Sequence, residues 1–275
     1  MDYVEVSFQN SPQQNELIIA LLSEEYEMFE ETEMGVRAYI QADKFSEKKL
    51  KDALEVLKES GNISYQHSLI KDRNWNAVWE SNFEPVEIGN SVYVRAPFHP
   101  AKPEVEYEIV MEPRMSFGTG HHATTYLMME EMMQMNFVDE TVLDMGCGSG
   151  ILAILAAKRK AKSILAIDID DWAFKNAFDN CRLNQSQHVI VQKGDVALIR
   201  GKAFDVILAN INRNVLLADL EDYVAAMKSD GHLLISGFMT DDVNKMLEAG
   251  QRLHLKVISQ SAKNQWAMIH FQKAA

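Results

Sequence analysis

The chain has 275 residues, 47% of them apolar and 24% charged. That is the range of ordinary globular proteins and allows one large core or two smaller ones. Its formal charge of −13 argues against a nucleic-acid binder that relies on phosphate neutralisation, and suits a small-molecule site or a basic partner.

Residues 3–8, YVEVSF, alternate as a strand does. The N-terminus therefore reads as a strand and not as a signal peptide. Asn10, Ser11 and Pro12 signal a helix start, and NELIIALLSEEY has helical spacing. A hairpin is predicted around Met34–Gly35, ending in VRAYIQA. SEKKLKDALEVLKES reads as a charged amphipathic helix, with Ser46 as cap and Gly61 as stop. ISYQHSLI is a further strand. The order β-α-β-β-α-β predicts a small ferredoxin-like α+β domain over residues 1–68.

Residues 1–60 carry 14 Asp and Glu against 6 Lys and Arg, with six glutamates within Glu24–Glu33. This is either a solvated surface or a docking face for a lysine-rich partner, because acidic fields steer basic ligands. Residues 69–85 read as a linker helix, with Trp75 and Trp79 on one face for packing between domains.

Residues 86–275 form the second predicted domain. VEIGNSVYVRAPF and VEYEIVME read as strands, and HATTYLMMEEMMQM as a helix whose five methionines fill a core. Strands TVLDMG, SILAIDI, HVIVQKGD, FDVILANI and GHLLISGF then alternate with helices GILAILAAKRK, DDWAFKNAFDNCRLN, NRNVLLADLEDYVAAMK and TDDVNKMLEAGQRL. That alternation predicts a Rossmann-like, doubly wound α/β sheet. Two strand-like runs in LKVISQSAKNQWAMIHFQK predict an antiparallel edge pair. The longest clean apolar run, Ile151–Ala157, is far short of the roughly 18–20 residues of a membrane span. Two cysteines, Cys147 and Cys181, make no disulfide framework, so a reduced, cytoplasmic compartment is expected.

LDMGCGSG sits between a strand and a helix, where open α/β sheets bind ligands. Gly146, Gly148 and Gly150 allow a tight turn and close approach to a ligand. No GK[ST] follows, so this is no Walker loop, and the spacing misses the dinucleotide GxGxxG. Asp144, two residues before Gly146, would suit a cation better than a pyrophosphate. Asp168, at the end of the next strand, can accept bonds from both ribose hydroxyls. Asp195 could reach an adenine amino group. An adenosine-like ligand with positive charge and no phosphate is implied, and S-adenosylmethionine fits. Asp168 could instead cap the following helix, as Asp170 or Asp171 would. Cys147 reads as a small residue tolerated in the loop. No His/Cys/Asp cluster has metal-ligand spacing, so no metal is expected.

The set FGTGHHATT, LDMGCGSGILAI, AIDID, LANI and ISGFM resembles the bacterial methyltransferases of the large-subunit ribosomal protein numbered eleven, which are class I S-adenosylmethionine-dependent enzymes. The resemblance implies a ferredoxin-like substrate-recognition domain joined to a Rossmann-like catalytic domain through a linker helix. It implies cofactor contacts at Thr125, Gly146, Asp168 and Asn210. It also implies a cofactor-closing role for FGTGHHATT, with Phe117 near the methyl end, Thr119 in the same loop, and His122 as the family's histidine. Gly148, Asp144 and Asp195 join the candidate cofactor set. Met145 and ANINRNVL depart from the family's commoner residues.

The implied reaction is methylation of lysine and N-terminal amino groups of the ribosomal protein by a monomer, with no direct nucleic-acid binding and no membrane. A lysine must present a lone pair, and its neutral form at pH 7 costs roughly 4–5 kcal/mol. Asn210, at the end of the fourth strand, is the candidate catalytic residue: its side-chain oxygen and neighbouring carbonyls would accept amine N–H bonds and orient that lone pair. Absence of Pro-Pro-Tyr after Asn210 disfavours glutamine and nucleobase acceptors. The alternatives are a methyltransferase for another protein or a small molecule, and a non-catalytic cofactor-binding assembly module. Deleting residues 1–68 separates the two methyltransferase readings.

Overall fold

The computed structural model describes residues 2–10, 12–22, 25–32, 35–55, 63–70, 84–112 and 120–274. The chain divides into two compact units, Met1–Asn82 and Phe83–Ala275.

In the first unit, β1 (Tyr3–Gln9), α1 (Pro12–Leu22), β2 (Met28–Thr32), β3 (Gly35–Gln41), α2 (Glu47–Glu55) and β4 (Ser64–Ile70) follow in that order. The sheet order is β2-β3-β1-β4, and every pairing is antiparallel. This is the ferredoxin-like arrangement that the β-α-β-β-α-β order predicts. Alternation puts Val4, Val6 and Phe8 of β1 and Val36, Ala38 and Ile40 of β3 on one buried face, where Ile18, Leu22 and Leu50 of the helices close over them. Strand β4 runs to Ile70, two residues past the expected domain end. Trp75, Trp79 and Gly61 lie outside the described residues.

Among the described residues, Glu25, Glu27 and Glu30 of this cluster are paired within the unit. Glu25 meets Lys49 at 3.1 Å, Glu27 meets Lys44 at 3.2 Å, and Glu30 meets Arg37 at 3.3 Å. Such exposed pairs add little stability. They do soften the local acidic field.

The second unit opens with a small sheet of β5 (Val86–Ile88), β6 (Val92–Arg95) and β7 (Tyr107–Val110). Then come α3 (Ala123–Met132), β8 (Thr141–Met145), α4 (Ile151–Lys158), β9 (Ser163–Asp168), α5 (Asp171–Leu183), β10 (Val189–Lys193), β11 (Phe204–Asn210), α6 (Arg213–Ala226), β12 (Met227–Met239), α7 (Val243–Arg252), β13 (Leu255–Lys263) and β14 (Trp266–Lys273). The seven-stranded sheet has the order β10-β9-β8-β11-β12-β14-β13. Strands β8 to β12 pair parallel with one another, and β14 runs antiparallel to both β12 and β13.

Both faces of the sheet are covered. Along β11, Val206 and Leu208 enter one core cluster while Ile207 and Ala209 enter the other. Near-continuous apolar strands are what burial on both faces requires. Met128, Met129 and Met132 of α3 are fully buried, as expected of core filler. The predicted antiparallel pair is present, but it is β13 that forms the edge; β14 inserts beside β12. The strand order reverses between β8 and β11, so their carboxyl ends open the crevice where such sheets bind ligands.

Candidate functional site

Strand β8 leaves the sheet at Met145, and the chain turns through residues 146–150 into α4. Gly146 adopts φ +69°, a left-handed conformation that side chains disfavour. A Cβ there would also overlap the Ile211 side chain. The Gly146 and Cys147 N–H groups donate to the Ile167 carbonyl at 2.8 and 3.0 Å, which ties the turn to β9.

Asp168 ends β9. Its Oδ2 accepts from the Gly148 N–H at 2.8 Å and its Oδ1 from the Asp170 N–H at 3.0 Å. The helix cap of α5 is Asp170, which accepts from the Trp172 and Ala173 N–H groups. The competing reading of Asp168 as that cap is therefore not what the structure shows.

Asp144 is buried and accepts from the Ala153 N–H at 3.0 Å. Burial pushes its carboxyl up to about 7; the Ala153 bond opposes this and the neighbouring Asp168 adds to it. Asn210 ends β11, and its Nδ2 donates to the Thr125 Oγ1 at 3.3 Å. Thr125 lies in the first turn of α3 and is fully buried.

A small cleft opens here, next to the Gly148–Asp168 pair. Thr125, Asp144, Gly146, Gly148 and Asn210 line it. So do Cys147, Ile151 and Leu152, which the sequence reading did not include. Their signal was available in the apolar start of the helix after the glycine turn. Burial pushes the Cys147 thiol well up, which keeps it protonated and fits a small filler better than a nucleophile.

Asp195 is apart from this lining. It is exposed and caps the short 3₁₀ helix Val196–Ile199, accepting from the Ala197 N–H at 2.9 Å. Phe117 and Thr119 lie outside the described residues.

The histidine pair has two separate structural partners. His122 caps α3, its Nδ1 accepting from the Thr124 N–H at 3.3 Å, with its ring edge-on to Trp266 at 4.7 Å. His121 Nε2 donates to the Glu84 carbonyl at 2.7 Å. Among the described residues no group of three His, Cys, Asp or Glu side chains is placed to hold a metal ion.

A glycine turn, the Asp168 carboxylate bonded to it and an Asn–Thr pair thus converge at the switch point. The sequence profile of the ribosomal protein L11 methyltransferase (PrmA) family matches residues 2–274. The chain belongs to this family.

A ribosomal protein L11 methyltransferase of Phocaeicola vulgatus is 42% identical over 98% of this chain and 99% of its own length. One of Chlorobaculum parvum is 34% identical over 94% and 93%. The crystal structure of a ribosomal protein L11 methylase from Lactobacillus delbrueckii subsp. bulgaricus superposes with a TM-score of 0.66 at 27% identity, covering 70% of this chain and all of that one. The protein is accordingly an enzyme of the S-adenosylmethionine-dependent methyltransferase class with a Rossmann-like catalytic fold. Among the described residues no helix is long and apolar enough to cross a membrane.

Proposed function

We propose that this cleft holds S-adenosylmethionine and that Asn210 aligns the attacking amine of a ribosomal protein, on lysine side chains and the N-terminal amino group. The observation that carries the reading is the Asn210–Thr125 bond, which joins the end of β11 to the start of α3 beside the glycine turn.

The residues present fit the cofactor. The lining residues include a carboxyl and two polar side chains, Thr125 and Asn210, and no lysine or arginine, which suits a cationic ligand and not a phosphate. Each Asp168 oxygen accepts one backbone N–H, which leaves further lone-pair capacity for two ribose hydroxyls. Gly146 and Gly148 let the backbone approach the ligand, and Thr125 serves its polar tail. Asp195 and the loop residues Phe117 and Thr119 complete the proposed cofactor set.

S-adenosylmethionine, when bound, supplies a methyl group on a sulfonium. Asn210 directs its Nδ2 to Thr125, so Oδ1 is its acceptor for an amine N–H. That bond would orient the amine with its lone pair free for the methyl group that the cofactor would supply. The buried apolar wall of Ile151 and Leu152 excludes water and favours the neutral amine. No strong base is needed, and alignment supplies most of the rate gain.

The ferredoxin-like unit is proposed as the docking domain, residues 69–85 as its linker, and the enzyme as a cytoplasmic monomer. The net charge of −13 supports a basic protein partner and not a nucleic acid. Mass spectrometry of the purified ribosomal protein after incubation with the enzyme and S-adenosylmethionine tests the reading. Added methyl groups on lysines and the N-terminus are expected. An unmodified ribosomal protein would overturn it.

A further inference from the structure

We infer that Asn180, on α5, is a positioning residue for the cofactor site: it fixes the glycine turn against the chain that leaves β7. Its side chain is fully buried, yet it lines no part of the cleft. Its Nδ2 donates to the Ser149 carbonyl, inside the glycine turn, at 3.0 Å. Its Oδ1 accepts from the Glu112 N–H, just past β7, at 2.9 Å. One carboxamide therefore bridges two segments 37 positions apart (149 against 112).

The rest of this helix face supports the same turn. A Cβ on Gly150 would come within 3.1 Å of the Ala177 Cβ, so α5 packs directly beneath the loop. Asn176 is buried and its Oδ1 accepts a second bond from the Asn180 Nδ2 at 3.3 Å, which holds the carboxamide in one orientation. An amide is the side chain that meets both demands, because it offers donor and acceptor from one planar group. Above this floor the turn presents Gly148, whose N–H orients Asp168. A loosened Ser149 carbonyl would let that pair drift, and binding would weaken without any lost ligand contact.

Asn184, one helical turn on, is the natural comparison. Its carboxamide bonds both the N–H and the carbonyl of Val110, and its Nδ2 also meets the Asn180 carbonyl. It supports β7 but makes no bond to the glycine turn among those the structure gives it.

This inference rests on the proposed cofactor cleft. The test titrates S-adenosylhomocysteine into the full-length protein by calorimetry for wild type, Asn180→Asp, Asn180→Ala and Asn184→Ala. Melting curves and the split of kcat from KM accompany it. Asn180→Asp keeps the acceptor for Glu112 but opposes a carboxylate to the Ser149 carbonyl. Asn180→Ala covers the case in which a buried carboxylate prevents folding.

Folded Asn180 variants should bind about tenfold more weakly, equivalent to about 1.4 kcal/mol. KM for S-adenosylmethionine should rise while kcat changes less. Asn184→Ala should lose thermal stability yet bind like wild type. Wild-type affinity in the Asn180 variants, or equal weakening in Asn184→Ala, would overturn the inference. A wild-type protein that fails to bind S-adenosylhomocysteine would overturn the cofactor-cleft reading itself, which is a separate outcome.

Discussion

Asn210 and Thr125 are 85 positions apart and meet at 3.3 Å across the mouth of the glycine turn. Each sits at the end of a regular element: Asn210 is the last residue of β11, and Thr125 lies in the first turn of α3. Rigid elements on both sides leave the carboxamide little freedom, which is what alignment of a nucleophile needs.

Asn210→Ala should lower kcat by about 100-fold or more, the range that positioning errors produce. Stability should change little, because the residue is only partly buried. Steady-state kinetics beside a melting curve checks this. Wild-type turnover in the folded variant would remove Asn210 from its proposed role.

Gly237→Ala should disturb the same site from behind. Gly237 has φ +101°, and a Cβ there would overlap the Ile211 carbonyl, next to Asn210. Backbone cannot swing aside as a flexible side chain does. A loss of about 1–3 kcal/mol is expected, with reduced activity even where the protein stays folded. Denaturant titration and a methylation assay read the two effects.

Asp144→Asn should change the pH dependence of stability. Burial raises the Asp144 carboxyl to about 7, above the unfolded value of about 3.9. A raised carboxyl contributes stability below the unfolded value and loses it as pH rises through about 7. The unliganded wild type thus bears a buried carboxylate at pH 8 that the amide avoids. The variant should gain on the order of 1–3 kcal/mol relative to wild type between pH 5 and pH 8. Its affinity for the cationic cofactor should fall at pH 8. Melting curves at the two pH values settle the sign.

Asp205 should govern part of the acid response. Burial pushes its carboxyl up, but bonds from Lys228 Nζ at 2.7 Å and from Thr141 Oγ1 and N–H at 2.6 and 2.8 Å outweigh this and hold it at about 2. A depressed carboxyl gives stability that is present above about pH 3.9 and lost as pH falls toward about 2. Glu140, raised by burial and by Asp205, acts with the opposite sign. Asp205→Asn should lower the melting temperature at pH 6 and flatten its fall between pH 4 and pH 2. An unchanged acid profile would rule the network out as the cause.

Much of the fold was legible because its signals are local. Alternation marked β1, apolar runs marked β8 to β12, and glycine spacing marked the turn after β8. The β13–β14 pair was legible as antiparallel, yet its placement was not, since nothing in either strand says which one meets β12. Asp195 illustrates a further limit. The sequence shows a carboxylate after a strand, and only the structure shows that it caps the next short helix. Ile151 and Leu152 belong to the buried core, and the turn of α4 also brings them to the cleft.

The sequence by itself determined the element order, through local periodicity, and pointed to the family, through the resemblance of its motif set, and to the residues of the proposed cofactor site. The tertiary structure decided which distant groups meet: Asn210 with Thr125, and Asn180 with both Ser149 and Glu112. Those pairings depend on how helices pack against the sheet, and side-chain hydrogen bonds of a few ångströms leave no periodic trace in the chain.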